Sequence, residues 1–325
     1  MALISLVFPI FNEEAVLPVL VARLEALLPI LEKDGDTVEV LFVNDGSRDS
    51  SLLQLRELAQ KHSWARVLSL SRNFGHQIAV TAGMHHATGD AVVLLDADLQ
   101  DPPELLPEMI RLWRDDGWEV VYGKRRSREG ETAFKLLTAS LFYKLLHRLT
   151  SVAIPENTGD FRLMDRKVVD ALNAMGEQHR FLRGMAAWVG FKQYALEYDR
   201  PARAAGETKY PFRKMFKLAM DAVTGFSYAP LKLSRDLGAF IALGAIVYGV
   251  IQAVRYALAP RSFEPGWTSI IVVLSLLSGV QLVTLGLIGE YIGRIYDEVK
   301  GRPLYLLSEK LGFQNDAQST NSKPS

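Results

Sequence analysis

The sequence predicts an α/β domain built on a mostly parallel sheet, followed by a pair of membrane-crossing helices. Three observations carry this. Residues 1 to about 125 alternate strand-like apolar runs with helix-period segments, the rhythm of parallel strands joined by right-handed crossovers. The polar clusters of that region recur at the ends of the strand-like runs. Two long stretches near the carboxyl end carry almost no charge.

The first strand is Ile4-Ser5-Leu6-Val7-Phe8, ended by Pro9. Met1 to Ile10 has no basic leader and no small-residue cleavage site, so it reads as a strand and not as a signal peptide. A helix follows over Ala15 to Leu31. Val38 to Val43 is the second strand, stopped by Asn44-Asp45-Gly46, and Ser50 to His62 repeats apolar positions at helical spacing. Arg66 to Leu70 and Gln77 to Ala87 are the third strand and helix. Ala91 to Leu95 is continuously apolar, as a strand covered on both faces should be. Asp101-Pro102-Pro103-Glu104 opens a helix, with Asp101 as its cap and Pro102 at its first position. Val120-Val121-Tyr122 is a fifth strand.

The chain has 325 residues, 49% of them apolar, which suffices for a sizeable core. Its 37 basic residues balance 37 acidic ones, which argues against a nucleic-acid-binding surface. It has no cysteine, so thiolate metal sites, disulfides and cysteine nucleophiles are excluded.

Leu237 to Ala259 is a run of 23 residues whose one charge is Arg255, and Thr268 to Gly289 is a run of 22 with none. At ~1.5 Å per residue each reaches about 33 Å, enough for a ~30 Å hydrocarbon core. Lys232 and Arg235 precede the first run, and Arg294, Lys300 and Arg302 follow the second. Only Arg255 and Arg261 lie near the connection, so both termini are expected in the cytoplasm. The predicted organisation is a domain over 1–208, a juxtamembrane helix over 209–233, two spans within 234–293 and a cytoplasmic tail over 294–325. A basic, apolar-striped segment over 131–149 reads as an interfacial helix, and 315–325 as a polar, disordered end.

Ligands in parallel α/β sheets bind beyond the carboxyl ends of the strands. Asn12-Glu13-Glu14, Asn44-Asp45-Gly46-Ser47, Ser71-Arg72-Asn73-Phe74-Gly75 and Asp96-Ala97-Asp98 all fall there. Residues two apart in an extended stretch point the same way. Asp96 and Asp98 can therefore face one hard divalent cation, Mg²⁺ or Mn²⁺, with Gln100 offering an amide oxygen. Asp45 can accept from a base or ribose, and Glu14 is a comparable acceptor.

The runs Val7 to Glu14, Val43 to Ser47, Ser71 to Gly75, Asp96 to Pro103 and Gly159-Asp160-Phe161-Arg162, in this order, resemble the polyprenyl-phosphate glycosyltransferases. The catalytic domain is similar to dolichol-phosphate mannose synthase, and the two spans to the bacterial bactoprenol glucosyltransferase (GtrB-like) branch. The resemblance covers the chain to about Phe313. It implies a GT-A fold, a nucleotide-diphospho-sugar donor, a polyprenyl phosphate acceptor, a divalent metal and inversion at the anomeric carbon. By motif, Pro9, Phe11, Glu13, Glu14, Asp45, Asp96 and Ala97 would line the nucleotide-sugar pocket. Asp98 and Gln100, with Asp96, would hold the metal. Asp160 matches the aspartate usually proposed as base. Since a lipid phosphate is largely dianionic near pH 7, with a second pKa of ~6, Asp160 could instead orient an acceptor or a sugar hydroxyl. Arg203 and Lys209 lie in a segment matching a family loop and are expected at phosphate, as is Arg125 or Arg126. UDP-glucose is the first expectation for the donor; another UDP-sugar, GDP-mannose, or an inactive nucleotide-sugar-binding scaffold are the alternatives. A hairpin anchor also suits a homo-oligomer.

Overall fold

The computed structural model describes residues 1–33, 35–126, 158–199, 229–258 and 266–313. They form two units: residues 1–126, 158–199 and 303–313, and residues 229–258 with 266–302. The expected interfacial helix over 131–149, most of the juxtamembrane helix, and Arg203 and Lys209 lie outside the described residues.

In the first unit the strands are β1 (Leu3–Ile10), β2 (Thr37–Asn44), β3 (Ala65–Leu70), β4 (Ala91–Leu94), β5 (Val120–Arg125), β6 (Thr158–Asp165), β7 (Gln193–Tyr198) and β8 (Leu307–Leu311). The helices are α1 (Leu17–Leu31), α2 (Ser51–Lys61), α3 (His76–His86), α4 (Leu106–Arg114), α5 (Arg166–Ala174) and α6 (Leu182–Trp188). The sheet order is β7-β5-β6-β4-β1-β2-β3-β8. β4, β1, β2 and β3 run parallel, as does β5 with β7, while β6 and β8 enter antiparallel.

β1 is central because it is apolar on both faces: Ile4, Leu6, Val7, Phe8 and Ile10 are all buried. The β1–β4 ladder runs only from Ile4↔Ala91 to Val7↔Leu94. Pro9, which has no N–H to give, lies past its end. The Phe8 ring stacks on Phe42 of β2 with centroids 5.7 Å apart, and the face they share is covered by Leu17, Leu20 and Leu24 of α1. α3 covers the sheet through a glycine. A β-carbon on Gly83 would lie 2.2 Å from Val7 Cγ1, so only glycine lets the helix approach this closely.

The loop after β4 departs from the sequence reading. The helix expected to open at Asp101 begins as a short 3₁₀ turn, Pro103–Leu105, before α4, and no side chain caps either. Asp101 is buried and bonds instead to the Tyr198 hydroxyl and, at 3.4 Å, to Arg125 Nη2.

The expected tail contains β8, which pairs with β3 from Leu70↔Leu307 to Val67↔Leu311. Arg56 forks onto Glu309 at 2.8 to 3.1 Å. A β-carbon on Gly312 would lie 2.4 Å from the Ala65 carbonyl oxygen. The segment is too short and mixed in character to announce a strand; the open edge of β3 supplies its order. A chain ending at Leu306 uncovers that edge. It should melt about 5 °C or more below the full chain, as expected for a loss of ~2 kcal/mol, and shift toward aggregates on size exclusion.

The second unit is a helical hairpin, α7 (Ala229–Leu258) and α8 (Trp267–Val299). Both are long and apolar enough to cross a membrane. Phe240, Leu243, Ile246, Leu274, Leu276, Leu282 and Val283 are exposed, which suits lipid and not a water-soluble core. Ser234 and Thr284 share a 2.8 Å hydrogen bond between the helices. α7 begins eight residues before the expected span and α8 continues ten beyond it, because a hydrogen-bonded helix does not end where its hydrophobicity does. In that extension Arg294 pairs with Glu290 one turn back, at 3.3 Å.

Candidate active site

Four strand-end loops and β6 enclose a cleft of about 450 Å³ lined by Pro9, Phe11, Glu13, Asp45, Asp96, Ala97, Asp98 and Asp160, together with Asn73, His76 and Arg183. Eight residues anticipated from the sequence are thus brought together. It sits beyond the carboxyl ends of β1, β2 and β4, with β1 between chain segments that diverge in opposite directions along the sheet.

Sheet register explains why Asp160 joins a cluster more than sixty residues away. β6 runs antiparallel to β4 with Leu94 opposite Arg162. The chain leaving β4 therefore runs toward Asp160, two residues before Arg162, and His76 Nε2 lies near both the Asp96 and the Asp160 carboxylates. Asp160 itself lies within β6. Its carboxylate is engaged on both oxygens. Arg183 Nε donates to Oδ1 at 2.7 Å. Gln77 Nε2 donates to Oδ2 at 3.0 Å, and His76 Nε2 lies 3.0 Å from the same oxygen. Burial would raise the Asp160 pKa, but Arg183 and His76 outweigh it and hold the carboxyl well below the usual range. His76 also lies 3.6 Å from Asp96 Oδ1. Burial lowers the His76 pKa, but its bond to Asp160 and the fields of Asp96 and Asp160 win, and the imidazole is shifted up.

Asp45 holds the β3–α3 loop. Its two oxygens accept from the Phe74 and Gly75 N–H groups at 2.7 and 2.9 Å. This fixes the start of α3, and with it His76 and Gln77. Asp45, expected to accept from a base or ribose, thus has a structural task in this loop. Glu14 does not line the cleft: its carboxylate accepts from the Ser50 N–H at 2.9 Å, at the start of α2. Gln100 is buried and is absent from the lining; its backbone N–H donates to Asp98 Oδ1 at 3.1 Å. Leu99 between them has φ +56°, a left-handed conformation that bulky residues seldom adopt.

Arg125 and Arg126 separate clearly. Arg125 is turned inward onto Asp101 and the Tyr198 hydroxyl. Arg126 is exposed and lies 3.8 Å from both Glu197 and Asp199. Neither lines the cleft. His76, Gln77 and Arg183 were not anticipated. The signal for the first two was their position directly after the Ser71 to Gly75 cluster, at a helix start. Arg183 gives no local signal.

The cleft edge is crowded with carboxylates. Burial, and then His76, Asp160, Asp101 and Asp98, set the Asp96 pKa, with a net rise to about 6. Glu13 is raised by burial and by Asp98, Asp49 and Asp96. Oxygen ligands crowded in this way suit a hard divalent cation. Among the described residues no three His, Asp or Glu side chains form a ready metal cage. The set fits an ion that keeps one or two carboxylates and takes its other ligands from phosphate and water.

The glycosyl transferase family 2 model matches residues 5–172, and this chain belongs to that family: its sheet is the family's GT-A-like catalytic fold, with the cleft at the expected strand ends. The GtrB C-terminal hairpin model matches residues 229–295, which makes it a membrane-associated member of the branch that carries such a hairpin. The uncharacterized glycosyltransferase YkcC of Bacillus subtilis is 50% identical over 311 residues, 96% of this chain and 95% of that one. The bactoprenol glucosyl transferase of Shigella phage SfX is 40% identical over 313 residues, 94% of this chain and 99% of that one. Among solved structures, glucosyl-3-phosphoglycerate synthase from Mycobacterium tuberculosis, in complex with Mn²⁺, UDP and glucosyl-3-phosphoglycerate, aligns with a TM-score of 0.47 at 20% identity, covering 69% of this chain and 78% of that one.

Proposed function

We propose that this protein transfers a hexose, glucose from UDP-glucose, with inversion onto the phosphate of a polyprenyl phosphate, at the cytoplasmic face of a membrane. The observation that carries the reading is the joining, in one chain, of the carboxylate-edged cleft to a hairpin apolar enough to cross a bilayer. The identity to bactoprenol glucosyl transferases through both parts supports it. The basic residues flanking the hairpin support cytoplasmic termini.

Asp96 and Asp98 would hold the divalent metal, Mg²⁺ or Mn²⁺. When bound, it would neutralise charge on the departing diphosphate. Phe11, Glu13 and Asp45 line the pocket offered to the nucleotide. An acceptor phosphate dianion needs no base: its oxygen attacks the anomeric carbon, the bond to the diphosphate breaks, and the electron pair leaves with UDP. The residues' task is then positioning and charge compensation.

Full-length protein in detergent, given undecaprenyl phosphate and a panel of labelled UDP- and GDP-sugars, should move label into the organic phase from UDP-glucose only. EDTA should abolish the transfer, and Mg²⁺ or Mn²⁺ should restore it. Label from another donor alone would replace the sugar. No organic-phase label from any donor, with UDP still bound, would sink the lipid-acceptor reading.

A further inference from the structure

Of the arginines expected at phosphate, Arg125 faces inward onto Asp101 and Tyr198 and Arg126 lies among acidic residues outside the cleft. Among the described residues that line the cleft, Arg183 is the one guanidinium. It rises from the first turn of α6 and is tied in place by a built network. Its Nε sits on Asp160 Oδ1 at 2.7 Å. The other oxygen of Asp160 meets Gln77 Nε2 and His76 Nε2, each at 3.0 Å. Gln77 Oε1 in turn accepts the Leu182 N–H at 3.0 Å, which locks the start of α6 to the start of α3. Below, the buried Arg162 guanidinium donates to the carbonyls of Gly159 and Asp160 at 3.1 and 3.3 Å.

A carboxylate whose two oxygens are taken by three side chains is placed to hold those side chains, not to collect a proton. We propose that Asp160 is a positioning residue, and that Arg183, held by it beside His76, forms a phosphate-binding subsite of the cleft. A planar guanidinium matches phosphate oxygens, and a fixed one loses little freedom on binding them. The inference rests on the transferase reading for its choice of ligand. That reaction brings two phosphate sources to the cleft, the donor diphosphate and the acceptor monoester.

The test uses the full chain in nanodiscs, with UDP and undecaprenyl phosphate as binding probes and the transfer assay for KM and kcat. Arg183→Gln should raise the KM of one phosphate substrate at least about tenfold and weaken binding of the matching probe, while the other KM stays within about twofold. A rise for UDP-glucose with weaker UDP binding assigns the subsite to the donor. A rise for undecaprenyl phosphate alone assigns it to the acceptor. Arg183→Lys should recover part of the loss, because it restores charge without the fork. Asp160→Asn should raise the same KM, and combining it with Arg183→Gln should add little, as coupled residues do.

Arg183→Gln with both KM values and both probes unchanged would overturn the subsite. So would an Asp160→Asn that abolishes kcat with both KM values intact, the signature of a base. If Arg183→Gln fails to fold, Arg183→Lys carries the comparison. If the wild-type chain binds UDP and lipid phosphate yet transfers no sugar, the transferase reading fails. The effect of the Arg183 variants on probe binding then still decides this inference.

Discussion

Asp98→Ala should lower transfer at least about 1000-fold, equivalent to ~4 kcal/mol of transition-state stabilisation, and leave the fold intact. The carboxylate is half-buried at the cleft edge, with Oδ1 steadied by the Gln100 N–H at 3.1 Å. Its neighbour Leu99 is held at φ +56°. Such strain persists only where the surroundings over-determine it, and it clusters at functional sites. On the proposed function, removing the carboxylate removes the support for a metal-bound diphosphate. Losing one side-chain bond to a backbone N–H costs the fold only ~1 kcal/mol. Initial rates with labelled donor, beside a melting curve, check both halves. A variant that keeps more than about a tenth of wild-type turnover would show that Asp98 does not hold the metal.

Gly46→Ala is the second large effect, and it acts through backbone. Gly46 has φ +66°, and a β-carbon there would lie 2.5 Å from Arg72 C and 2.6 Å from Asn73 N. Neither neighbour is the flexible end of a side chain, so the β3–α3 loop must shift. That loop is held by Asp45 through Phe74 and Gly75 and carries His76 into the cleft. Left-handed strain of ~1 kcal/mol and overpacking of ~2 kcal/mol should add to ~3 kcal/mol, or a fall in melting temperature of about 6 to 12 °C. Transfer should fall with it. Gly117→Ala is the matched comparison. Gly117 has φ +69° with nothing within 4 Å of the added carbon, so only the strain of ~1 kcal/mol applies. Equal losses from the two variants would show that the close approach at Gly46 does not matter.

The parts of the site that were legible are those whose chemistry is local. Asp45, Asp96 and Asp98 could be anticipated because each follows an apolar strand, and a parallel sheet delivers its strand ends to one edge. Asp101 was misread for the same reason. Asp-Pro-Pro-Glu is a sound local signature for a helix start, but a tyrosine at position 198 and an arginine at position 125 offered that carboxylate buried partners. β8 was missed because its order comes from the edge of β3 and not from its own composition.

By itself, then, the sequence determined the alternation of strand and helix, the convergence of the acidic loops and the two apolar spans. All three follow from periodicity and from short stretches of neighbouring residues. Only the tertiary structure decided that β6, antiparallel to β4, brings Asp160 to the same imidazole as Asp96, that Arg183 and not Arg125 or Arg126 reaches the cleft, and that Glu14 turns away to α2. Partner choice between residues far apart in the chain depends on strand register and on which of several buried charges finds a partner first in space. Local spacing carries no record of either.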